Sequence, residues 1–171
     1  VPAVSAPAAG DTIVLSENCP PGFELVSGRC ELRSLYQMYA SLEDAGVGGL
    51  KTGLPAWRDG FSPQQTDLGR YLFFDPVLSR DGTVSCATCH APDRGFSDGL
   101  GRSVGINGSV LPRSAPTLWN VAFLNSFFWD GRADTLEGQM VGPLFDKHEM
   151  GSNPQLLLDT LNGIPAYRAL F

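Results

Sequence analysis

Cys86-Ala87-Thr88-Cys89-His90 constrains this chain more than any other stretch. Two thiols three positions apart can each add to one vinyl group of the same porphyrin. The His that follows then lies under the ring, where its imidazole can bind iron. A covalently attached haem c is therefore expected on Cys86 and Cys89, with His90 as axial ligand to the iron. A disulfide and a zinc site are the competing uses of such a pair. Zinc would need two further good ligands nearby, and the surrounding sequence offers none.

The rest of the composition fits one soluble compact domain. A length of 171 residues is enough for a real core, and the apolar fraction is 43%. Gly 20 and Pro 13 point to many turns and loops. No apolar run is long enough to cross a bilayer. A net charge of −6 argues against a nucleic-acid partner and is compatible with a basic redox protein. Cys19 and Cys30 are the other two cysteines, and the stretch between them reads as a disulfide-closed turn. A structural disulfide and thioether-bound haem agree on an exported, bacterial periplasmic location. The chain starts Val-Pro-Ala-Val-Ser-Ala, without Met or a basic segment, so the expectation is that a signal peptide has been removed.

Periodicity and caps predict a mainly α chain with long loops. Residues 1–16 read as an Ala/Pro-rich arm and 17–31 as the disulfide turn. Apolar spacing predicts a helix over 32–42, followed by a connecting loop over 50–61. Ser62-Pro63-Gln64-Gln65 is a helix start, with Leu68, Tyr71, Leu72 and Phe74 facing inward and Asp75-Pro76 as the stop. Residues 91–116 read as loop, broken by repeated Gly and Pro. Thr135 caps a helix over 136–141. Another runs from Gln155 to Asn162 and stops at Gly163, and Pro165 opens a last one over 166–171.

Several segments together resemble the diheme bacterial cytochrome c peroxidases and the MauG-type enzymes. They are Leu68–Ser79, Val84–His90, Arg113–Leu118, Phe128–Ala133 and Gln139–Met150, in that order. The resemblance covers about 62–171 and implies a cytochrome c-like peroxidatic haem domain there. Residues 1–61 lie outside it and are read as an N-terminal extension. The family carries a second Cys-x-x-Cys-His in a second domain. This sequence does not contain one, so a second haem domain or polypeptide is expected as partner.

The resemblance also implies roles for particular residues. The family's pocket combines Gln, Pro and Glu, and Gln139, Pro143 and Glu149 reproduce its spacing. Glu149 would be the acid–base group for peroxide cleavage, since a carboxyl in a dry pocket can take a proton and return it. Gln139 could hydrogen-bond the bound oxygen, and Pro143 would keep that face tight and apolar. Trp129 matches the Trp that lies between the two haems; its other reading is a core aromatic within Phe127-Phe128-Trp129. Asp130 and Arg132 would fix this turn, and Arg113 or Arg132 could meet a haem propionate or simply be exposed. Ser114 stands where the family often has an Asn that helps bind calcium between the domains. A hydroxyl is the poorer ligand, which puts calcium in doubt.

Many relatives carry a His in the loop after the haem motif, but residues 91–147 contain none. The iron's far side is therefore expected to be open or water-bound. His148 reads as a surface or structural His, and Met140 and Met150 as core residues; distal ligation is the other use of each. The resemblance thus implies reduction of hydrogen peroxide through a ferryl haem. Electrons would come from a second haem, itself fed by a cytochrome c or a cupredoxin. A MauG-like enzyme oxidising Trp or Tyr side chains of a partner protein is the first alternative. A non-enzymatic monohaem electron carrier is the second.

Overall fold

The computed structural model describes residues 12–32 and 60–171. They fall into two compact units, one within 15–67 and the other comprising 68–171 with the short stretch before Leu15.

In the smaller unit an antiparallel hairpin pairs β1 (Phe23–Val26) with β2 (Arg29–Leu32), in the register Val26 to Arg29 and Phe23 to Leu32. Ser27 and Gly28 make the two-residue connection with φ of 51° and 81°. Two positive values match the twist of flanking strands, so the segment folds as a hairpin and not only as a closed turn. Cys19 and Cys30 are disulfide-bonded. The buried Cys30 donates its N–H to the Phe61 carbonyl at 2.7 Å. Leu32 belongs to β2, and the remainder of the helix expected over 32–42 lies outside the described residues.

The helix α1 spans Pro63–Phe74. It starts as the sequence predicts. Gln65 N–H donates to Ser62 Oγ at 3.1 Å, while Ser62 N–H donates to Gln65 Oε1 at 3.0 Å. Asp75 ends the helix and caps a short 3-10 turn over Pro76–Leu78 by accepting from Val77 N–H at 2.9 Å. Next come α2 (Cys86–Cys89), α3 (Leu136–Phe145), α4 (Pro154–Gly163) and α5 (Pro165–Arg168). Thr135 and Asn153 cap α3 and α4 through their side-chain oxygens, at 3.0 and 2.9 Å.

α3 runs four residues past the expected end at 141. Pro143 costs it one hydrogen bond but not its continuity, because Asp146 N–H still reaches the Gly142 carbonyl at 2.9 Å. Between α2 and α3 the chain is loop with short 3-10 turns at Pro92–Arg94, Ile106–Gly108 and Val121–Phe123, joined by isolated bridges at Ala91–Ser97, Val104–Val110 and Phe127–Ala133. Among the described residues no helix is long and apolar enough to cross a membrane.

The core of this unit gathers Val84, Ile106, Leu144 and Met150, with Leu78, Phe145 and Leu157 against it. Tyr167 of α5 is fully buried and donates its hydroxyl to Asp75 Oδ2 at 2.5 Å, across 92 positions of sequence. That bond ties the end of the chain to the end of α1. It also satisfies the second oxygen of a buried carboxylate whose Oδ1 already accepts from Val77 N–H. Met150 and Val84 bring the two stretches that carry the expected chemistry, 146–151 and 84–90, onto this one core.

Candidate haem site

Ser85 and Thr88 close the single turn of α2. Ser85 N–H donates to Thr88 Oγ1 at 3.0 Å, and Thr88 N–H donates to the Ser85 carbonyl at 3.1 Å. These bonds satisfy amide groups that a helix start leaves bare. Cys86 and Cys89 stand at the two ends of this turn as free, half-buried thiols. They are not joined to each other. Burial raises the Cys86 thiol above its ordinary value. Cys89 is pushed up to about 11, first by burial and then by the carboxylates of Asp98 and Glu149. Both acids therefore lie within electrostatic reach of the motif.

His90 caps α2, its N–H donating to the Cys86 carbonyl at 2.9 Å. Its Nδ1 is 3.1 Å from the Phe96 carbonyl oxygen. A carbonyl can only accept, so Nδ1 carries the proton and Nε2 keeps its lone pair for a metal. The same bond orients the ring and makes it a stronger ligand. Phe96 presents this carbonyl from left-handed backbone, φ 57°. That conformation is unfavourable for a bulky residue, by about 1–3 kcal/mol, and persists only where the surroundings hold it.

The loop 91–98 has such surroundings. Ser97 Oγ donates to the Ala115 carbonyl at 2.8 Å, and Thr117 Oγ1 donates to the Gly95 carbonyl at 2.5 Å. The Phe96 ring meets Trp119 and Phe73 edge-on, with centroids 5.4 and 6.5 Å apart. Two unpaired thiols one helical turn apart, followed by an imidazole in the metal-binding tautomer, fit a c-type haem. No group of three or more His, Cys, Asp or Glu that could hold a metal ion occurs among the described residues.

Glu149 lies in the turn after α3, and its position is set by backbone bonds from two directions. On the α3 side, Met150 N–H donates to the Pro143 carbonyl at 3.2 Å, and Glu149 N–H and Gly151 N–H donate to the Asp146 carbonyl at 3.1 and 2.8 Å. On the other side, Ile106 N–H donates to the Glu149 carbonyl at 2.9 Å, and Arg80 N–H to the Met150 carbonyl at 2.8 Å. Gly105 permits this approach, because a Cβ there would run into the His148 carbonyl. Gly151, at φ 64°, is required twice, since a Cβ would also strike the Ile106 side chain.

The Glu149 side chain is half-buried. Its carboxyl is raised above the ordinary range by burial and further by Asp146, with Arg132 opposing. Such a carboxyl is suited to hold and return a proton. Gln139 and Pro143 are half-buried and four positions apart, on one face of α3. Because Pro143 has no N–H, the Gln139 carbonyl lacks its helical donor.

The other candidates divide. Phe127 is buried and the Phe128 ring packs against Gly142, where a Cβ would come within 2.7 Å of it. The Arg132 guanidinium covers that ring at 3.5 Å and pairs with Asp130 Oδ1 at 2.7 Å, fixing the turn. With the two Phe turned inward, Trp129 is 88% exposed, which overturns its reading as a core aromatic. Met140 is 50% exposed on α3 and is not a core residue, whereas Met150 is. His148 and Arg113 are at the surface; Arg113 contributes its carbonyl to Ser103 N–H at 3.0 Å.

Phe96, Asp98, Gly105, Ile106 and Gly151 are part of the site and escape sequence reasoning. The two glycines are visible as letters, but the surfaces that press on them are not. Phe96 acts through its carbonyl, which every residue has.

The chain matches the family described as di-haem cytochrome c peroxidase over residues 63–171. It is 48% identical over 110 residues to the methylamine utilization protein MauG of Methylorubrum extorquens, covering 64% of this chain and 31% of that protein. It is 47% identical over 106 residues to the cytochrome c551 peroxidase of Pseudomonas aeruginosa, covering 62% of this chain and 31% of that one. The chain therefore spans about a third of the length of these curated relatives. Among solved structures, the diheme peroxidase BthA of Burkholderia thailandensis aligns at a TM-score of 0.58 with 28% identity. The alignment covers 93% of this chain and 41% of that one. That likeness extends into residues before 63, where the family match begins.

Proposed function

We propose, from the premise that this chain belongs to the di-haem cytochrome c peroxidase family, that residues 62–171 form a peroxidatic haem domain of cytochrome c type. Cys86 and Cys89 would hold one haem c by thioether bonds, and His90 would bind its iron through Nε2. When bound, haem supplies the oxidising power and the site for hydrogen peroxide; the chain supplies binding, orientation and protons. Glu149 takes the proton from the near peroxide oxygen and delivers it to the far one. Gln139 would offer its side-chain amide to the peroxide, and Pro143 would exclude water beside it. Trp129 passes electrons to this site from a second haem domain or polypeptide, and a cytochrome c or cupredoxin feeds that domain. Arg132, and less directly Arg113, supply positive charge for the haem propionates. Calcium between the domains would need ligands from the partner, with Ser114 contributing little. The Cys19–Cys30 disulfide supports an exported, periplasmic location.

The observation that carries this reading is the Glu149 turn. A half-buried carboxyl with a raised pKa, pinned by Ile106 and Asp146, acts electrostatically on the haem-attachment thiol of Cys89. A pure electron carrier has no use for such a group. The test is the ferric spectrum of the haem-loaded chain. A high-spin spectrum that changes promptly with peroxide supports the proposal, and a low-spin spectrum indifferent to peroxide removes it.

A MauG-like oxidation of Trp or Tyr side chains on a partner protein is the second reading. The lack of His in residues 91–147 favours it, as does the likeness to a protein named MauG. Steady turnover with a reduced donor protein would select the peroxidase.

A further inference from the structure

We propose that Asp98 is a fixed counter-charge to the haem iron, a buried carboxylate beside His90 that stabilises the oxidised metal and keeps its reduction potential low. The proposal rests on haem being bound at Cys86 and Cys89.

Asp98 is only 4% exposed. Its Oδ1 accepts from Leu100 N–H at 2.9 Å, while Oδ2 has no hydrogen-bond partner. Arg94 donates its Nη1 to the Asp98 backbone carbonyl at 2.6 Å and forms no ion pair with the carboxylate. Ser103 Oγ is also buried and stands beside the carboxylate without closing to hydrogen-bond distance. A buried carboxylate is costly unless a compensating charge pairs with it, and among the described residues none forms an ion pair with this one.

The chain places this charge next to the axial ligand. The Ala91–Ser97 bridge folds the loop back, so the residue before Asp98 pairs with the residue after His90. Burial pushes the Asp98 carboxyl up, but the neighbouring Ser103 hydroxyl and the Leu100 N–H outweigh it and hold the group below its ordinary value. A negative charge beside the axial ligand would favour the more positive oxidation state of a bound iron. It therefore lowers the potential and eases loss of further electrons during peroxide cleavage. The hydrogen bond from His90 to Phe96 acts in the same direction, from the same loop.

The experiment is the midpoint potential of the haem-loaded chain, by spectroelectrochemistry, for Asp98→Asn and for Asp93→Asn. Asn keeps the Leu100 bond and removes the charge. Asp93 is an exposed carboxylate of the same loop, screened by water, and serves as the control. A positive shift in Asp98→Asn, clearly larger than in Asp93→Asn, supports the proposal. A shift no larger than the control's, or one of the opposite sign, overturns it. If Asp98→Asn fails to load haem, the unaltered chain decides by redox infrared difference spectra with isotope-labelled Asp. A labelled carboxylate band that moves with the iron's oxidation state supports the proposal, and its absence overturns it. Failure of the haem reading itself would look different: no covalent haem in the unaltered chain.

Discussion

Two loops flank the haem motif's chemistry and are held in different ways. The loop 91–98, behind His90, is closed by its own main-chain bonds and anchored to its surroundings by side chains. Ser97, Thr117 and the Phe96 ring hold a backbone that Phe96 alone would not adopt. The turn 146–151, which carries Glu149, is fixed by main-chain bonds and by glycines that let the backbone of 105–106 come close. The difference teaches where each is vulnerable. Changing a side chain at 97 or 117 loosens the first loop by degrees. Adding a single carbon at 105 or 151 strikes the second at once.

That contrast can be broken most severely at the motif both loops serve. Cys86→Ala with Cys89→Ala should abolish covalent haem, read by mass and haem staining, while leaving Phe96 and Glu149 where they are. Next in size is Gly105→Ala. The added Cβ meets the His148 carbonyl and should destabilise the fold by about 1–3 kcal/mol, read as a lower urea midpoint. Its effect should fall on the peroxide reaction and not on the potential, because the His90 loop is untouched. An equal change in both would dissolve the distinction between the loops.

A smaller effect concerns pH. The Glu149 carboxyl is raised in the fold, so its favourable contribution is present below the ordinary carboxyl range and is lost as pH rises through the raised value. Glu149→Gln should therefore gain thermal stability over the unaltered chain at neutral pH, and the gap should close on acidification. A gap that widens in acid would mean the carboxyl is not raised. Smallest is Trp129→Phe. At 88% exposure it should leave the melting temperature nearly unchanged while slowing electron delivery from a partner haem.

Much of this was legible in the sequence, and the reason lies in particular residues. Cys86, Cys89 and His90 declare themselves because the spacing is chemical, and the Ser62–Gln65, Thr135 and Asn153 caps because they act within three positions. The hairpin is marked in the sequence only by Ser27-Gly28, a two-residue connection between two short strand-like runs. The extension of α3 past Pro143 was obscured because Pro reads as a stop, although it removes just one bond. The supports of the site were not legible at all. Asp75 to Tyr167, Ile106 to Glu149 and Phe96 to His90 are long-range or main-chain contacts, and neither kind leaves a local pattern.

The account turns on Glu149 moving protons at a haem held by Cys86, Cys89 and His90. Stopped-flow mixing of hydrogen peroxide with the haem-loaded chain and its Glu149→Gln variant tests that most directly. The expected result is a spectral change slower by roughly 10²–10⁴-fold in the variant, with haem attachment and the resting spectrum unaltered. A variant that reacts as fast as the unaltered chain would contradict it.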